Sequence, residues 1–85
     1  MSEKDKLIQK LLSHPKDFTY REAERLLNKF GYYADNKGKT SGSRVTYKGN
    51  KVSLDIHKPH GRNYLLNYQI KGIITFLELE GVIND

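Results

Sequence analysis

The segment 44-RVTYKGNKVSLDIH-57 alternates apolar and polar residues on either side of Gly49-Asn50. A period of two marks a half-buried strand, and a glycine-containing dipeptide between two such runs signals a tight hairpin. Folding about Gly49-Asn50 sets Lys48 opposite Lys51, Tyr47 opposite Val52, Thr46 opposite Ser53, Val45 opposite Leu54 and Arg44 opposite Asp55. Every pair beyond the two lysines matches in polarity, and the last joins opposite charges. A slip of one residue would turn one strand inside out. Val45, Tyr47, Val52, Leu54 and Ile56 are therefore expected on the core side. Arg44, Thr46, Lys48, Ser53, Asp55 and His57 share the open side.

Working outward, Tyr32 to Asp35 suits a short strand, and 36-NKGKTSGS-43 lacks any periodicity and reads as a loop. Before it, 17-DFTYREAERLLNKFGY-32 holds Thr19 followed three residues later by Glu22, a capping box, with Phe18 placed to staple onto Ala23. Tyr20, Ala23, Leu26, Leu27 and Phe30 trace one helical face, and Gly31 supplies the stop. Leu7, Ile8, Leu11 and Leu12 predict a further short helix over residues 3–12, ended at His14-Pro15 because a residue before proline is pushed out of the helical region. After the loop 58-KPHGRNYLL-66, Ile70, Ile73, Ile74 and Leu77 give a last helix, with Leu66 a turn earlier, Gly81 closing it, and Val82 and Ile83 tucking back onto the core. The expected fold is α+β: one domain over residues 1–85, with an N-terminal helix in 1–13 and an α-β-β-β-α core over 17–83. Its helices cover one face of a three-stranded antiparallel sheet.

The chain has 85 residues and no cysteine, which excludes disulfides and thiolate metal sites. The N-terminus is charged from its third residue, and no window approaches the roughly 20 apolar residues that cross a bilayer, so a cytoplasmic protein without membrane contact is expected. The net charge is +5, unevenly spread. Residues 31–72 carry eight Lys/Arg against Asp35 and Asp55, interleaved with Tyr32, Tyr33, Tyr47, Tyr64 and Tyr68. Cations mixed with aromatic rings suit nucleic acid.

Two of the three histidines flank a proline in 55-DIHKPHGRNY-64. A metal site there lacks ligands, since Asp55 is expected to pair with Arg44, and neither a metal nor a cofactor is expected. Histidine beside Lys and Arg does suit one reaction of small scaffolds, RNA cleavage by its own 2′-hydroxyl. The protein then need supply only acid–base groups and cations for the developing charge. His57 and His60 are the candidate catalytic residues, and Lys37, Lys39, Arg44, Lys58 and Arg62 the candidate phosphate contacts. The same groups would also serve to hold RNA without cutting it. Gly38 and Gly42 match no phosphate-loop fingerprint, and Tyr20 and Tyr47 read as core.

The blocks PKDFTYREAERLLNKFGY, NKGKTSGSRVTY, HKPH and LLNYQIKGIITFLELEGVI, taken in order, resemble the HicA-type toxins of bacterial toxin–antitoxin pairs. The likeness covers about residues 12 to 83. It implies a fold like a double-stranded-RNA-binding domain and a metal-independent endoribonuclease acting on mRNA, held in check by a HicB-type antitoxin. Many members carry a histidine at or near the Gly-Ser of the first block. Here Arg44 and Val45 follow Gly42-Ser43, and His60 best matches the family's second histidine position. The alternatives are a chain that works through the HKPH histidines and a module that binds RNA or a partner without cleavage.

Overall fold

A computed structural model of the chain describes residues 2–35, 44–58 and 63–83. The order is α1 (Glu3–Leu12), α2 (Tyr20–Lys29), β1 (Ala34–Asp35), β2 (Arg44–Lys48), β3 (Ser53–His57) and α3 (Asn67–Leu79). The three strands form one antiparallel sheet in the order β1-β2-β3. No helix among the described residues is long and apolar enough to cross a membrane.

Each helix is bounded by local chemistry. Ser2 caps α1, its hydroxyl accepting from the Asp5 N–H. The Thr19 box closes α2 from both sides: the Glu22 N–H donates to Thr19 Oγ1 at 3.0 Å, and the Thr19 N–H donates to Glu22 Oε1 at 2.9 Å. At the far end Gly31 takes φ +93°, which lets the Tyr32 N–H return to the Leu27 carbonyl and its own N–H to that of Asn28. That is the Schellman pattern. α3 ends the same way at Gly81 (φ +77°), with Val82 N–H on Leu77 and Gly81 N–H on Glu78. Because Tyr32 is spent on closing α2, the strand expected over 32–35 shortens to Ala34–Asp35.

The buried side chains form one cluster. Leu7 and Leu11 of α1, Ala23, Leu26 and Leu27 of α2, and Ile70, Ile73, Ile74, Phe76 and Leu77 of α3 meet Val45, Tyr47, Leu54 and Ile56 of the sheet. The helices thus cover one sheet face, and Arg44, Lys48, Ser53, Asp55 and His57 stand exposed on the other. Leu66, expected on the apolar stripe of the last helix, is instead its half-exposed N-cap. Ile83 packs on the core, whereas Val82 remains exposed.

The hairpin keeps its expected faces and changes its register. Arg44 pairs with His57, Val45 with Ile56, Thr46 with Asp55, Tyr47 with Leu54 and Lys48 with Ser53. Relative to the two-residue turn the strands have slid by two positions, which preserves the side-chain face because the strand period is two. The turn becomes a four-residue loop, Gly49 to Val52, closed by a 2.8 Å bond from the Gly49 N–H to the Val52 carbonyl. Val52 leaves the strand and is half-buried in this loop. The cause is Glu80, just past α3. Its carboxylate accepts the N–H groups of Asn50 (2.8 Å), Lys51 (2.6 Å) and Val52 (2.8 Å), together with the Tyr32 hydroxyl (3.1 Å). A two-residue turn could not present three consecutive N–H groups to one carboxylate.

Candidate nucleic-acid interface

The slide regroups the polar residues of the open sheet face. Arg44 was expected to hold Asp55; it stands instead opposite His57, the last residue of β3. Asp55 lies opposite Thr46 and accepts its hydroxyl proton at 2.7 Å. The remaining acid of the sheet, Asp35, forms a 3.1 Å ion pair with Lys48. The acidic side chains are therefore engaged towards the middle and far side of the sheet. The imidazole and guanidinium share the end where β3 runs out. Both are exposed, as an interface for a large polyanion requires.

β3 is anchored at that end by a residue the sequence reading passed over. Gln69, in the first turn of α3, donates from Nε2 to the His57 carbonyl at 2.8 Å and accepts the Leu66 N–H on Oε1 at 2.8 Å. Leucine has no side-chain acceptor, so this is half of a capping box, with the amide's other end tied to the strand. The glutamine at N3 was a visible signal. Its strand partner is twelve residues away and was not.

Lys58 follows His57, and its Nζ lies 5.6 Å from the centroid of the Tyr20 ring, within cation–π range. The Tyr20 hydroxyl is 3.3 Å from that of Tyr47, and burial pushes both phenols upward, Tyr47 furthest. Neither phenol is poised to exchange a proton near neutral pH, and the Tyr20 ring serves as the floor under Lys58.

Of the expected site, the structure brings together His57 and Arg44 on the open sheet face, while Lys58, the next residue along, turns to Tyr20 of α2. His60, Arg62, Lys37 and Lys39 lie outside the described residues. Among the described residues no group of three or more His, Asp or Glu side chains is arranged to hold a metal ion. Comparison with known protein families, curated proteins and solved structures finds no match for this chain.

Proposed function

We propose that this chain is a HicA-like, metal-independent endoribonuclease acting on mRNA at the end of its sheet, with a HicB-type protein as its inhibitor. The observation that carries the reading is an exposed histidine directly across the strands from an exposed arginine, with a second cation one residue on. A base withdraws the proton of a ribose 2′-hydroxyl, and that oxygen attacks the adjacent phosphorus. The bond from phosphorus to the 5′-oxygen breaks as an acid returns a proton to it, leaving a 2′,3′-cyclic phosphate and a 5′-hydroxyl. His57 and His60 take the base and acid roles. Arg44 neutralises the phosphorane oxygens, and Lys58, with Arg62, Lys37 and Lys39, holds the flanking phosphates.

The test is purified protein incubated with mRNA in the presence of EDTA. Cyclic phosphate ends should form, and His57→Ala and His60→Ala should each lower the rate about 10²–10⁴-fold. Arg44→Ala should lower it about 10²-fold without loss of fold. Undiminished cleavage by the double histidine variant removes the catalytic assignment. The second reading, a non-catalytic RNA-binding module, is favoured by Arg44 standing directly after Gly42-Ser43. It predicts salt-sensitive binding with intact RNA.

A further inference from the structure

Where the chain leaves α1 and enters α3 lies a groove of about 680 Å³, lined by His14, Pro15 and Lys16 from the first segment and by Tyr64, Leu65, Leu66 and Asn67 from the second. That volume falls in the range of small-ligand sites. The second segment is apolar and partly open to solvent: Tyr64 is 49 % exposed and Leu66 43 %, with the buried Leu65 between them. The walls are held by backbone pairing. The Leu65 N–H donates to the Phe18 carbonyl at 2.8 Å and the Tyr20 N–H to that of Asn63 at 3.3 Å, so Thr19 and Tyr64 bridge. The groove is linked to the site described above through bonded residues: Leu66 is tied through Gln69 to the His57 carbonyl, and Tyr64 bridges to Thr19, the neighbour of the Tyr20 that carries Lys58.

Its charge is one-sided. Lys16 is exposed at the rim with His14, while the nearby carboxylates Asp17 and Glu22 are drawn to Lys10, at 3.8 and 3.0 Å. An exposed aromatic ring, an apolar neighbour, a carboxamide and a rim cation form the set that receives an unstacked base with its phosphate. Resting on the ribonuclease reading, we propose that this groove takes one nucleobase of single-stranded RNA. The base stacks on Tyr64, the Asn67 amide reads its edge, and Lys16 holds the adjoining phosphate, so that the neighbouring nucleotide reaches His57. This makes the substrate a single strand, because a base within a duplex cannot enter.

The test uses a short 2′-O-methyl oligoribonucleotide carrying one 2-aminopurine. It cannot be cleaved, and its fluorescence falls when the probe base stacks. Wild-type protein should bind it with quenching, and a duplex of the same sequence should give none. Tyr64→Ala should weaken binding about 5- to 150-fold and abolish quenching, while Tyr64→Phe keeps both. Lys16→Ala should make the salt dependence shallower by about 0.7 in log–log slope. The groove assignment is overturned if Tyr64→Ala binds and quenches like wild type, or if wild type binds without quenching. Failure of wild type to bind any oligonucleotide overturns both this inference and the RNA reading. Binding and quenching as expected, with unmethylated RNA left uncut, removes the ribonuclease reading alone.

Discussion

Three consecutive N–H groups, of Asn50, Lys51 and Val52, end on the Glu80 carboxylate, which is only 8 % exposed. Burial alone would raise its pKa. The donors of Val52, Lys51 and Asn50 and the Tyr32 hydroxyl outweigh burial and hold it at about 2, against an ordinary 4.5. A carboxyl whose pKa is depressed by folding contributes stability that is full above its unfolded value and lost as the pH falls through its folded one. Melting temperature should therefore drop between about pH 4.5 and 2. Glu22 and Glu3 are shifted downward as well and add to that acid loss. In Glu22, burial opposes the shift, and the Thr19 N–H and Lys10 overcome it. Comparison with Glu80→Gln isolates the Glu80 share: the variant should melt lower at pH 7 and lose less on acidification, as followed by circular dichroism. An unchanged melting temperature at pH 7 would show that the cradle adds nothing to stability.

At the scale of elements, the hairpin and the end of α3 form one unit. A Cβ added at Gly49 would lie 2.5 Å from the Glu80 carboxyl carbon and 2.7 Å from the Val52 carbonyl oxygen. The flexible carboxylate could withdraw from such a methyl group, but the carbonyl could not move without opening the loop. Gly49→Ala should thus destabilise the fold, and its effect should be non-additive with Glu80→Gln, because both remove the same contact. A urea-denaturation double-mutant cycle with zero coupling energy would contradict this. For α2, Thr19→Ala should cost about 1 kcal/mol in the same assay through loss of the cap. The capping box and the glycine stops were legible in the sequence because their partners lie within five residues. The hairpin register was not. Sliding by two residues preserves every inward and outward assignment, so polarity matching cannot separate the two pairings, and the residue that decides is about thirty positions away.

Across the whole molecule, the +6 balance of residues 31–72 overstates how uniformly basic the sheet is. Asp35 and Asp55 share its open face and engage Lys48 and Thr46 there. Positive charge is left on Arg44 opposite His57, on Lys58 at the Tyr20 ring and on Lys16 in the groove. If Arg44, Lys58 and Lys16 each meet one phosphate of a single strand, they should contribute about −2 to the log–log slope of affinity against salt, with Lys37, Lys39 and Arg62 steepening it further. Fluorescence anisotropy across a salt series would measure it, and a slope near zero would exclude an electrostatic interface. The sequence by itself determined the helices, the glycine stops and the Thr19 cap, and which face of the sheet turns outward, since these follow from spacing, capping and alternation over a few residues. Only the tertiary structure decided that Arg44 faces His57 instead of Asp55, that Gln69 ties the strand to the last helix, and that Tyr64 opens onto a groove. Each of those depends on contacts between segments remote along the chain, and no local pattern encodes where two such segments meet.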